Sequence, residues 1–133
     1  MNGLLTDSVR VLIVDDESDN ARSLAALLRL GYQCETKTCT DGAACLEVVR
    51  EFRPHLLLVD VHMPAMGGLE VARALRKANL LPPIVVALSG SGGLTVTEDS
   101  IDAGCHAHEL KPMSGARMKQ LIAQANELKG SFP

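Results

Sequence analysis

The sequence predicts an α/β fold: a doubly wound, five-stranded parallel sheet flanked by five helices. Three observations predict it. Apolar runs alternate strictly with helix-patterned segments along the chain, the order that builds a parallel sheet covered on both faces. The runs VRVLIV (9–14), HLLLVD (55–60) and IVVALS (84–89) are apolar at successive positions, as strands buried on both sides must be. The length, 133 residues with 47% apolar and 22% charged, suits a single domain with a substantial core, about residues 8–129. Aromatic residues are only 2%, so Leu, Val, Ile and Ala must fill that core.

Each element has its own signal. The first strand, 9–14, is short and rich in valine. Ser18 or Asp19 can cap the helix that follows, with Leu24, Leu27 and Leu28 on one face and Gly31 as its terminator. QCETKTC (33–39) alternates loosely and reads as a more exposed second strand. Asp41 can cap a second helix with Leu46, Val48 and Val49 inside, ended before Pro54. HLLLVD is the most apolar strand and is expected at the centre of the sheet. Gly67-Gly68 breaks the chain before a third helix, with Leu69, Val71, Ala72 and Leu75 as its buried stripe. Pro82-Pro83 leads into the fourth strand, 84–89, and the loop SGSGG follows. Thr95 and Glu98 have capping-box spacing at the start of a fourth helix that stops at Gly104. That helix is rich in Thr, Val and Asp and is expected to be the least stable. AHELK (107–111) reads as a polar edge strand. Ser114 can cap the last helix, in which Met118, Leu121, Ile122, Ala125 and Leu128 fall at helical spacing, with Gly130 beyond its end.

Composition excludes several function classes. A net charge of −3 argues against a nucleic-acid or anionic-membrane footprint across the domain. No apolar run approaches the roughly 20 residues that span a bilayer. MNGLLTDSVR has no basic segment before an apolar one, so no signal peptide is expected and a cytoplasmic location is. Cys34, Cys39, Cys45 and Cys105 are then expected as reduced thiols. Cys105, His106 and His108 lie close together but lack metal-ligand spacing, and read as ordinary core or surface residues.

The chemistry gathers where an open α/β sheet binds ligands, outside the carboxyl ends of its strands. Asp15, Asp16 and Glu17 follow the first strand. Asp60 ends the third, Ser89 the fourth, and Lys111-Pro112 the fifth. Taken singly, the acid pair could merely open a helix, and the serine and lysine could be ordinary surface residues. Asp60 is harder to dismiss, because a carboxylate closing a buried strand needs a counter-charge. Together they make a coherent set. Clustered carboxylates call for a hard cation such as Mg2+. A lysine supplies a point charge for a phosphate oxygen, a serine a hydrogen bond, and an aspartate can accept a phosphoryl group.

On these residues the sequence resembles the response-regulator receiver domains of two-component signalling, the CheY-like family. The matching features are Asp15-Asp16, Asp60 followed by Met63-Pro64, Ser89, and Lys111-Pro112. Asp16 to Asp60 spans 44 residues, Asp60 to Ser89 spans 29, and Ser89 to Lys111 spans 22. The resemblance implies strand order 2-1-3-4-5, with Asp60 as phosphoacceptor. It implies Mg2+ held by Asp16, Asp60 and the His62 backbone carbonyl, with Asp15 acting through water. It also implies Ser89 as a switch hydroxyl, Lys111 as the phosphate-pairing lysine, and a cis bond before Pro112. His108 falls where the family often carries Tyr or Phe as a switch side chain. His62 and Ser91 fall where side chains tune phosphoryl lifetime.

Two departures stand out: Gly67 where the family commonly has an acid, and His108 in place of the aromatic. The implied partner is a histidine kinase or histidine phosphotransfer protein, and the implied output a switch of the fourth helix, fifth strand and fifth helix. A phosphorylation-linked dimer is compatible with that output. The implied role is a signalling switch without enzymatic turnover of a diffusible substrate. The alternative is a degenerate receiver acting as a phosphorylation-independent interaction module. A haloacid-dehalogenase-type phosphohydrolase would need an acid two residues after Asp60, where this chain has His62. No Gly-rich phosphate loop follows the first strand, which weakens a mononucleotide-binding reading.

Overall fold

The computed structural model describes residues 8–90 and 94–131, and the side chains at 94–97 and 131 lie outside that description. Five parallel strands run β1 (Arg10–Val14), β2 (Glu35–Cys39), β3 (Leu56–Asp60), β4 (Ile84–Ser89) and β5 (Ala107–Leu110), in spatial order β2-β1-β3-β4-β5. Between and after them come α1 (Ser18–Tyr32), α2 (Cys45–Phe52), α3 (Gly68–Lys77), α4 (Leu94–Ala103) and α5 (Gly115–Glu127). Short 3-10 turns at Gly42–Ala44 and Lys129–Ser131 complete the chain. The strand order reverses between β1 and β3, which opens a crevice at their carboxyl ends.

Alternating residues of the strands feed two cores. Val11, Ile13, Leu56, Leu58, Val86 and Leu88 pack against α1 and α5. Leu12, Val14, Leu57, Val59, Val85 and Ala87 pack against α2, α3 and α4. The central strand β3 is buried at every position, as its continuous apolar run predicts. β5 is the polar edge strand.

Several local expectations are corrected. α1 is capped at Glu17, without a side-chain hydrogen bond, rather than at Ser18 or Asp19. It runs past Gly31 to Tyr32, and Gln33 takes the left-handed cap at φ 58°. Its buried stripe is Ala21, Ala25 and Leu28, while Leu27 is exposed. Leu24 packs at the margin of the same core. In α2 the buried residues are Cys45, Val49 and Phe52, with Leu46 and Val48 packed at their margin. Asp41 caps the 3-10 turn that leads into α2, accepting the Ala43 N–H at 3.0 Å. α4 begins at Leu94, so Thr95 lies within the helix rather than at its cap. Residues 91–93 of the SGSGG loop, Ser91 among them, lie outside the described residues, as does the Thr95 side chain. Ser114 caps α5 as expected, accepting the Arg117 N–H at 3.1 Å.

Candidate functional site

The parallel ladder delivers four chain segments to one edge. Asp60 is the last residue of β3, opposite Leu88 of β4. One residue on, the Val61 N–H donates to the Leu88 carbonyl at 2.9 Å, carrying the ladder past the acid. Beyond β1, the Asp15 N–H donates to the Cys39 carbonyl at 3.0 Å, so that turn is fixed as well. The Lys111 N–H donates to the Ser89 carbonyl at 2.8 Å, and the Lys111–Pro112 peptide bond is cis.

The side chains meet across the crevice. Lys111 Nζ donates to Asp15 Oδ2 and to Asp60 Oδ2, each at 3.0 Å. The second oxygen of each carboxylate takes a backbone N–H: Asp60 Oδ1 that of His62 at 2.9 Å, and Asp15 Oδ1 that of Glu17 at 2.9 Å. Asp15 and Asp60 are only 6% and 7% exposed, so these bonds replace most of their water. Asp16 is exposed. Oxygens of Asp15, Asp16 and Asp60 lie within 4.8 Å of one another, and among the described residues this is the one such cluster of three potential ligands. Burial opposes the charge on Lys111, but the hydrogen bonds and negative charges of Asp15 and Asp60 outweigh it and raise its pKa above the ordinary lysine value. Three carboxylates against one ammonium leave an excess of negative charge in a set of oxygen donors. That arrangement fits a hard divalent cation.

Ser89 is fully buried, and its Oγ lies 3.4 Å from His62 Nε2. His108 is half-buried on β5 opposite Ala87, two residues back along β4 from Ser89. Gly67 and Gly68 have a steric reason. A Cβ on Gly67 would stand 2.7 Å from the Val61 carbonyl oxygen, and one on Gly68 would overlap the Asp60 carbonyl. The start of α3 is thus pressed against the backbone of the acceptor strand. Glu70 Oε1 accepts the Gly67 N–H at 3.2 Å, capping the helix from within.

Two imidazoles take a backbone role that the sequence reading did not assign them. His55 Nδ1 accepts the Arg10 N–H and His106 Nδ1 the Val85 N–H, each at 2.9 Å, at the opposite edge of the sheet. The signal was present in each case as a histidine at or just before the start of a strand. His106 is thereby engaged by the backbone, and no metal cluster forms around Cys105 among the described residues. All four cysteines are free and buried, and burial pushes Cys45 up to about 12 and Cys105 up to about 11.

The family model for the response regulator receiver domain matches residues 11–123. The chain belongs to the response-regulator receiver family. This receiver is similar to the transcriptional regulatory protein PrrA of Mycobacterium tuberculosis, 35% identical over 122 residues, which cover 91% of this chain and 50% of PrrA. It is also similar to the DNA-binding response regulator MtrA of the same species, 33% identical over 121 residues, covering 86% of this chain and 48% of MtrA. The chain thus spans about half the length of the curated relatives it matches. The receiver domain of Saccharomyces cerevisiae Ssk1, in co-crystal with the histidine phosphotransfer signalling protein Ypd1, superposes with a TM-score of 0.80. At 23% identity, over 92% of this chain and 91% of that one, it shows the shared fold. The receiver is therefore a component of two-component signalling with the CheY-like architecture. Among its described residues no helix is long and apolar enough to cross a membrane.

Proposed function

We propose that this receiver accepts a phosphoryl group on Asp60 from the phosphohistidine of a histidine kinase or histidine phosphotransfer protein. The observation that carries the reading is the Asp60 carboxylate, buried at the strand end and held by Lys111 at 3.0 Å beside Asp15 and Asp16. In the transfer a carboxylate oxygen of Asp60 attacks phosphorus, the phosphorus–nitrogen bond breaks, and the imidazole departs. The backbone N–H of His62 orients the carboxylate. Lys111 offers its ammonium to the incoming phosphoryl oxygens, and Ser89 offers a hydrogen bond. Such a site works by positioning and charge neutralisation. Asp15, Asp16, Asp60 and the His62 carbonyl are the groups that would hold Mg2+, which when bound neutralises phosphoryl charge.

The accompanying proposals follow from this one. The domain acts as a switch, without turning over a diffusible substrate, and its output surface is α4, β5 and α5, with a phosphorylation-linked dimer as one form of output. It makes no direct nucleic-acid contact, in keeping with a net charge of −3. Four free buried thiols fit a reducing, cytoplasmic location. The test is intact-mass measurement after incubation with a small phosphodonor and Mg2+. The wild type should gain one phosphoryl group and Asp60→Asn none. Uptake by Asp60→Asn would overturn the assignment, and no uptake by the wild type from either a phosphodonor or a kinase would favour a phosphorylation-independent module.

A further inference from the structure

His62 stands at the junction of two parts of the site. Its backbone N–H donates to Asp60 Oδ1 at 2.9 Å, while its ring Nε2 lies 3.4 Å from Ser89 Oγ. One residue therefore links the acceptor carboxylate, through main chain, to a hydroxyl 27 positions away, through its side chain. Ser89 is fully buried at the end of β4, whereas His62 is an exposed residue, so the serine is fixed in place and the ring is the part with freedom to leave. Whichever of the two groups donates, the contact holds the Ser89 side chain toward Nε2. A hydroxyl held in that direction is less available to a phosphoryl oxygen on Asp60.

Resting on the phosphoacceptor reading, we infer that His62 is a positioning residue that restrains Ser89 in the unphosphorylated receiver and must release it before Ser89 can bind the phosphoryl group. The release is coupled to the acceptor itself. Conversion of the Asp60 carboxylate to an acyl phosphate removes the charge that holds the His62 N–H, which weakens the bond fixing the base of the histidine just as a phosphoryl oxygen arrives to compete for Ser89. The restraint thereby opposes the active arrangement until phosphorylation occurs.

The test is the affinity of the full chain for beryllofluoride with Mg2+, measured for the wild type, His62→Ala, His62→Gln, Ser89→Ala and the His62→Ala/Ser89→Ala double variant. Removing the ring should tighten binding about fivefold, the factor that one net hydrogen bond carries. Gln places a nitrogen or oxygen near the position of Nε2 and should restore affinity toward the wild-type value. In the Ser89→Ala background the His62→Ala effect should disappear, because the double-mutant cycle isolates the pair. Unchanged or weaker binding by His62→Ala, or an equal tightening without Ser89, overturns the inference while leaving the acceptor assignment intact. Failure of the wild type to bind beryllofluoride overturns the acceptor reading, and this inference with it.

Discussion

At the scale of single residues the site is governed by how two buried carboxylates are each given partners for both oxygens. Asp15 and Asp60 each spend one oxygen on a backbone N–H and the other on the same ammonium, Lys111. Removing one partner from a buried ionic set leaves charge uncompensated, which costs far more than an exposed pair contributes. Lys111→Met should therefore lower stability by about 3 kcal/mol in urea unfolding without added divalent cation, and unchanged stability would show that the three groups are not coupled. By contrast, the exposed Arg22–Asp19 and Arg50–Glu47 pairs should contribute little. The placement of these groups at one edge was legible in the sequence, because acids, serine and lysine fall at the ends of the strand runs. The His62 ring contact with Ser89 was not, since nothing in residue spacing tells which way a loop side chain turns. Gly67 looked like a missing acid. Its steric reason, the Val61 carbonyl beneath it, exists only once α3 is docked.

At the scale of elements, the three central strands were readable almost to their ends, because burial on both faces demands continuous apolar runs. Helix faces were less readable. α1 carries more leucine than it buries: Leu27 and Leu30 are exposed, while Ala21 and Ala25 are buried. The edge opposite the site carries a pH-dependent element. Burial first, then the positive charges of Arg10 and Lys129, push the His55 imidazole down to about 4, against an ordinary value near 6.5. The fold holds the ring neutral, with Nδ1 accepting the Arg10 N–H. The unfolded chain therefore binds the extra proton between those values. The contribution of His55 to stability is fully present above about pH 6.5 and is lost as the pH falls toward about 4. Burial lowers His106 in the same direction. His55→Asn keeps an acceptor near Nδ1 but does not titrate. Urea unfolding between pH 7.5 and 5 should show a shallower decline for His55→Asn than for the wild type, and equal slopes would remove His55 from the acid-sensitive step.

At the scale of the whole molecule, the doubly wound topology decides where chemistry can happen. The strand order reverses between β1 and β3, and the acids of these two strands face each other there, with β4 and β5 adding Ser89 and Lys111. The same ladder that fixes those positions ties Lys111 to Ser89 through the backbone, so a shift at one is felt at the other. The central claim is that Asp60 carries the phosphoryl group, and the most direct measurement of it is chemical mapping of the modified residue. An acyl phosphate is reduced by borohydride to the corresponding alcohol, which converts a phosphorylated aspartate to homoserine. After treatment with a phosphodonor and Mg2+, borohydride reduction and peptide sequencing by mass spectrometry should find homoserine at position 60 and aspartate at positions 15 and 16. Homoserine at position 15 or 16, or phosphoryl retained on a residue other than Asp60, would contradict the account.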